Sequence, residues 1–229
     1  MQTEFRAVLF DLDGVIFDTE PQYTKFWGSE FQRYYPNRVG LEQEIKGQTL
    51  TEIFDTWWNG TLSTERPFIT ARLDDFERHM TFDYVCGLEA FVADLRSHGI
   101  RTAIVTSSNR PKMSQVHAAH PDLKSMFDII LTSEDFSASK PSPDCYLKAA
   151  SALCTDPKDC IVMEDSINGL KAGCASGAFV VGLTTQNPRE RILDFSDYQI
   201  ADFTGLTTES LADIVVSTRC VISQPSYMS

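Results

Sequence analysis

Apolar residues along this chain follow two patterns, short unbroken runs and longer stretches that repeat every three to four positions. The runs lie at 7 to 10 (AVLF), 102 to 105 (TAIV), 128 to 131 (DIIL), 160 to 163 (CIVM) and 178 to 181 (AFVV). They hardly alternate with polar residues, which is how strands covered on both faces read. Between them the helical repeat takes over. Leu88, Phe91, Val92 and Leu95 share one helix face, with Gly99 placed to end that helix, and Tyr146, Ala149, Ala150 and Leu153 repeat the spacing. Strand and helix alternate from about residue 87 onward. The pattern predicts an α/β fold, a doubly wound parallel sheet with helices on both faces.

Residues 18–84 break the alternation, being rich in aromatics, helical in period and nearly free of β-branched runs. The predicted organisation is an α/β core from residues 1–17 and 85–216, an all-α module inserted at 18–84, and a C-terminal tail at 217–229 without a clear pattern. The insert enters just after the first strand and leaves near Asp83 to Gly87. Two linkers side by side permit hinge motion.

Composition narrows the function classes. At 229 residues the chain can bury a substantial core. It has no apolar run near the ~18 residues of a membrane span, and its start, MQTEFRAVLF, lacks the basic-then-apolar pattern of a secretory leader. A cytoplasmic location is expected. Six cysteines (86, 145, 154, 160, 174 and 220) form no C-x-x-C pair and read as reduced, mostly core thiols. A formal charge of −12 argues against nucleic acid and anionic membranes as partners. It would repel a phosphorylated metabolite too, unless a metal ion, a lysine or oriented amides made a local positive centre.

In a parallel sheet the residues just past the strand ends meet along one edge. Asp11 and Asp13 end the first strand there, Ser107 ends the second within VTSSN, Lys140 follows the third, and Glu164 and Asp165 end the fourth. Each has an ordinary explanation. Asp11 and Asp13 suit a solvated strand end turning at Gly14, and Ser107, Ser108 and Asn109 suit a plain turn before a helix. Glu164 and Asp165 suit a helix start capped by Ser166, with Asn168 serving that start. Ser142 and Pro143 suit an N-cap and a first helical position, which leaves Lys140 unexplained. Together they supply a nucleophile, an acid/base, hydroxyl and amide donors, an ammonium and an oxygen-rich cation site suited to Mg²⁺.

Taken in order, DLDGV, VTSS, SKPSPD and MEDS resemble the four motifs of the haloacid dehalogenase superfamily, and the helical insert resembles its mobile cap, in the branch of β-phosphoglucomutase and small sugar-phosphate phosphatases. The resemblance implies a Rossmann-like core in which Asp11 is the nucleophile, Asp13 the acid/base, and Ser107 and Lys140 bind the phosphoryl group. It implies Mg²⁺ held by Asp11, the Asp13 backbone carbonyl and Asp165, with Glu164 in support. Ser108 and Asn109 are expected at the substrate. Because Asp13 is present, the resemblance favours phosphoryl transfer over dehalogenation.

The cap departs from the mutases. Tyr23 stands where they carry a histidine, and Leu50, after KGQT, stands near their phosphate-gripping arginine. Arg72 is the candidate replacement cation. The expected activity is hydrolysis of a small phosphate monoester by a monomer. The alternatives are a hexose-phosphate mutase and, from another class, a non-catalytic phosphoacceptor or phospho-ligand-binding protein. Trp57 and Trp58 read as cap core rather than substrate surface. His79, His98, His117 and His120 read as structural, Gly169 and Gly173 as helix–sheet packing, and Arg110 as a solvated side chain that could attract phosphate.

Overall fold

The computed structural model describes residues 4–45, 48 and 50–222. Six parallel strands form one sheet: β1 (Ala7–Phe10), β2 (Arg101–Val105), β3 (Ile129–Leu131), β4 (Cys160–Glu164), β5 (Phe179–Leu183) and β6 (Tyr198–Ile200). Their spatial order is β3-β2-β1-β4-β5-β6. The order in which strands are added reverses at β1, so β1 and β4 lie side by side at the switch point where such sheets open a crevice. The sixth strand, YQI, was not expected: three residues centred on a glutamine carry no apolar run.

Alternate residues of each strand enter different cores, because successive side chains point to opposite faces. Val8 and Phe10 of β1 join Ile161 and Met163 of β4 on one face, while Ala7 and Leu9 join Cys160 and Val162 on the other. The first face is covered by α5 (Leu88–Ser97), α6 (Arg110–Ala119) and α11 (Thr208–Ile222), and the second by α8 (Asp144–Ala152) and α9 (Ile167–Ser176). Leu88, Phe91, Val92 and Leu95 form the buried stripe of α5 as the spacing predicts. Each such side chain contributes about 1.5–3 kcal/mol through burial. The short helices α7 (Leu123–Met126) and α10 (Arg189–Ile192) complete the core. Helix α11 runs through Ile222, so residues 217–222, expected in the tail, are helical.

The insert is all helical. Its helices α1 (Glu20–Tyr34), α2 (Leu41–Glu44), α3 (Leu50–Trp57) and α4 (Arg66–Glu77) enclose a separate apolar cluster of Phe26, Trp27, Phe31, Phe54, Trp58 and Leu73, among others. Trp58 is fully buried, and the Trp57 ring packs edge-on against Phe31 with the Arg38 guanidinium over it. Both tryptophans are therefore cap core, as expected. At the junction the two linkers lie against each other. Asp18 donates its N–H to the Asp83 carbonyl at 2.8 Å, Val85 donates to Ile16 at 2.9 Å, and the Phe17 and Tyr84 rings stack 5.0 Å apart.

Two smaller expectations are corrected. Of the six cysteines, all unpaired, only Cys145 and Cys160 are buried, so most are not core thiols. Helix α8 starts at Asp144, with Pro143 rather than Ser142 at the cap position; the Ser142 hydroxyl accepts only a long 3.4 Å bond from the Asp144 N–H.

Candidate active site

A cleft of about 590 Å³ lies over the carboxyl ends of β1, β2 and β4 and is roofed by the helical insert. Asp11, the first residue past β1, is locked in place when its N–H donates to the Met163 carbonyl at 3.0 Å. Its Oδ1 accepts from Lys140 Nζ at 2.5 Å, and the same ammonium donates to Glu164 Oε1 at 2.6 Å and to the Val105 carbonyl at 3.2 Å. Lys140, 129 residues along the chain from Asp11, thus sits between two carboxylates.

Glu164 is fully enclosed and fully used. Its Oε1 accepts from Lys140 and from the Tyr146 hydroxyl at 2.9 Å, and its Oε2 accepts from the Asp165 N–H, the Ser166 N–H and the Ser166 hydroxyl at 3.0–3.1 Å. A carboxylate with both oxygens so occupied orients its neighbours and has little lone-pair capacity left for an ion. Ser166 also caps α9 by accepting from the Gly169 N–H at 3.0 Å, so both readings of MEDS hold together.

Two glycines make room for these acids. A Cβ on Gly169 would lie 1.7 Å from Glu164 Oε1, and one on Gly14 would lie 1.8 Å from Asp165 Oδ2. Gly14 in addition has φ +73°, a left-handed conformation that side chains resist. Gly173, by contrast, meets only the Val162 and Val180 methyls at 3.0 Å and serves helix–sheet packing.

Asp13 takes three donors on its two oxygens: the Thr19 hydroxyl at 2.9 Å, the Ser108 hydroxyl at 3.1 Å and Lys112 Nζ at 2.7 Å. Burial alone would raise its pKa, but the Lys112 ammonium and these hydrogen bonds bring it below the ordinary value. Asp11 goes the other way. Burial outweighs the pull of Lys140 and, with Glu164 nearby, lifts it from 3.8 to about 7. Asp165 is raised as well, by burial first and then by Glu164 and Asp11.

Four carboxyl groups, Asp11, Asp13, Glu164 and Asp165, face only the two ammonium groups of Lys112 and Lys140 among the described residues of this wall. Oxygen donors from Asp11, Glu164 and Asp165 come within 4.8 Å of one another. An excess of carboxylate oxygens, with Asp11 and Asp165 pushed by burial toward their protonated forms, suits a hard divalent cation.

The remaining expected residues divide. Ser107 is exposed at the cleft rim, while Thr106 before it is buried and accepts the Ser108 N–H at 2.9 Å. Asn109 caps α6 by accepting from the Lys112 N–H at 3.0 Å and also lines the cleft, as does Asn168. Arg72 does not reach the cleft. Its guanidinium forks onto the buried Glu30 carboxylate at 2.8 and 2.6 Å and contacts the Tyr34 hydroxyl, so it braces α4 against α1 instead of receiving substrate. Arg110 lies outside the cleft near Asp135, at 3.6 Å. His120 donates its Nε2–H to the Phe82 carbonyl at 2.6 Å beside the stacked linker rings, a structural place. Leu50 and Tyr23 line the cleft, while Lys46, Gly47 and Thr49 of KGQT lie outside the described residues.

Lys112 and its contact with Tyr23, Thr106 and the Gln186–Glu20 contact at 2.9 Å were not anticipated. Lys112 had a signal: side chains in the first turn of a helix lean back toward its N-terminus, and Asn109 as cap puts Lys112 in that turn, facing the strand end.

The sheet order, the inserted helices and this acid–lysine cluster define a haloacid dehalogenase-like hydrolase. The family model of that description matches residues 8–183, and the chain belongs to it. It is 27% identical over 213 residues to the bifunctional riboflavin kinase/FMN phosphatase of Arabidopsis thaliana, covering 89% of this chain and 55% of that protein, so it spans about half of that relative's length. It is 28% identical over 184 residues to fructose-1-phosphate phosphatase YqaB of Escherichia coli (strain K12), covering 77% of this chain and 95% of the relative. A crystal structure of a HAD hydrolase, family IA, variant 3 from Entamoeba histolytica superposes with a TM-score of 0.78 at 22% identity, covering 92% of this chain and 99% of that one. At that identity the superposition speaks for the fold.

Proposed function

We propose that this chain is a Mg²⁺-dependent phosphatase acting on a small phosphate monoester, a sugar phosphate, through an aspartyl-phosphate. The observation that carries the reading is Asp11, held 2.5 Å from Lys140, at the end of β1 and in one cleft with Asp13 and the buried Asp165. Asp11 attacks phosphorus and the bond from phosphorus to the leaving oxygen breaks; Asp13, a carboxylate in the free protein, takes up a proton as substrate binds and passes it to that oxygen. Asp13, now a carboxylate, takes a proton from water as the water attacks the acyl-phosphate. Inorganic phosphate leaves and Asp11 is restored.

Lys140 keeps the Asp11 carboxylate aimed and offsets charge on the phosphoryl oxygens, with Ser107, Ser108 and the Asn109 region at the same edge. The residues present fit the cation: the Asp11 and Asp165 side chains and the Asp13 carbonyl would hold it, with Glu164 orienting them. When bound it would neutralise the repulsion between a carboxylate nucleophile and a phosphate dianion. The insert acts as a cap whose closure excludes water.

The names of the phosphatase relatives support a phosphorylated metabolite as substrate. The mutase alternative has less support, because Arg72 is committed to Glu30 and Tyr23 and Leu50 replace the residues a mutase uses. Among the described residues no helix is long and apolar enough to cross a membrane. A cytoplasmic monomer remains part of the proposal. A panel of phosphate monoesters, assayed for phosphate release with and without Mg²⁺ beside a coupled assay for β-glucose 1-phosphate isomerisation, tests the reading. Metal-dependent phosphate release supports it, and isomerisation without release refutes it.

A further inference from the structure

Lys112 has no part in the chemistry above, yet it occupies a demanding position. Its side chain, 8% exposed, leaves the first turn of α6 and reaches the floor of the cleft. A buried ammonium is tolerated only where it is paired and hydrogen-bonded, and here both partners are specific. Nζ donates to Asp13 Oδ2 at 2.7 Å and to the Tyr23 hydroxyl at 2.9 Å, and that hydroxyl donates in turn to Glu77 Oε1 at 2.8 Å. Asp13 and Lys112 belong to the core, whereas Tyr23 in α1 and Glu77 in α4 belong to the cap. One line of polar contacts therefore runs from Asp13, across the seam, to α1 and α4 of the cap.

We infer that Lys112 is the positioning residue for Asp13, and that Tyr23 is the cap-side group which holds Lys112 in place when the cap is closed. The inference rests on the reading of Asp13 as the acid that protonates the leaving oxygen. Asp13 has to present one carboxyl oxygen to that atom. Thr19 bonds one carboxyl oxygen and Ser108 the other, both through neutral hydroxyls. The fixed ammonium supplies the third anchor, and Tyr23 withdraws its support when the cap lifts. Productive geometry at Asp13 is in this way tied to closure.

Leaving-group dependence of kcat/KM separates positioning from mere structure. An alkyl phosphate needs a proton on its leaving oxygen, whereas p-nitrophenyl phosphate leaves well without one. With the alkyl ester hydrolysed fastest in the panel, Lys112→Met is expected to lose about 100-fold in kcat/KM. With p-nitrophenyl phosphate the loss is expected to be under about fivefold. Lys112→Arg should recover part of the alkyl activity. Tyr23→Phe should show the same selectivity with a smaller loss, and the double variant should match Lys112→Met because the two act in one line. Asp13→Asn is the control. If it impairs both esters equally, the reading of Asp13 as acid fails. If it is selective while Lys112→Met is unselective or unimpaired, or if the double variant is additive, the inference about Lys112 is overturned. Should Lys112→Met fail to fold, Tyr23→Phe carries the comparison, and an unselective loss there overturns it equally.

Discussion

The two walls of the cleft are built differently. On the core side, Asp11, Asp13, Lys140, Glu164 and Asp165 are tied by short hydrogen bonds between segments far apart in sequence, and the backbone beneath them is sheet. On the cap side, Trp27, Ile45, Leu50, Ile53 and Leu73 present apolar surface from helices that share a core of their own, and Tyr23, Glu42, Gln48 and Glu77 stand among them as polar groups. A charged network demands satisfied partners and tolerates little change, while an apolar wall accepts any shape of similar volume. The first can hold a reaction constant while the second varies the leaving group.

Substitutions on the two walls should diverge accordingly. The largest effect is expected for Asp11→Asn, a loss of at least about a thousandfold in kcat for every substrate, with circular dichroism unchanged. Next comes Gly169→Ala, whose methyl would occupy the space of Glu164 Oε1; kcat should drop about 100-fold and stability by about 2–3 kcal/mol. Its neighbour Gly173→Ala, pressing only on valine methyls, should cost about 1 kcal/mol and leave kcat within about twofold. Chemical denaturation and steady-state kinetics on the pair would show whether one helix face serves both site and packing.

Cation binding gives an effect on stability. In metal-free protein Asp11 keeps its proton up to a pKa of about 7, against 3.8 when unfolded. As pH rises from 3.8 toward 7 the unfolded chain releases that proton first, so metal-free stability should fall across this window and level off above it. Asp165 acts in the same direction. Asp13, pulled down by Lys112, adds stability at neutral pH that is lost as pH falls below its ordinary value. Saturating Mg²⁺ at a hundred times its Kd should restore about 2.7 kcal/mol above pH 7, read as a melting temperature higher by about 5–10 °C. Equal melting with and without Mg²⁺ at that pH would contradict the fit. A more selective effect is expected on the cap wall. There Leu50→Ala should shift the ratio of kcat/KM between two phosphate esters by about tenfold while the better substrate retains its kcat.

What could be read from the residues alone follows the same division. The strands and α5 announce themselves by burial on both faces or one, and parallel strands bring Asp11, Lys140, Glu164 and Asp165 together wherever the loops run. Arg72 could not be placed, because whether a cap arginine meets substrate or a buried Glu30 depends on how helices cross, and the pattern carries no crossing angle. Lys112 was legible only through the cap at Asn109. The saturation of Glu164 depends on the Tyr146 hydroxyl, which in sequence is merely one more aromatic on the apolar stripe of α8. β6 lacks an apolar run and lies at the sheet edge, so nothing marks it out.

The central claim is that Asp11 accepts the phosphoryl group, and trapping that adduct tests it most directly. Enzyme with Mg²⁺ is mixed with an excess of its best phosphate ester, quenched in acid within one turnover, and its peptides are mapped by mass. A phosphoryl adduct on Asp11 that disappears as phosphate is released is the expected result. Full turnover with no adduct, or with one on another residue, would contradict the account.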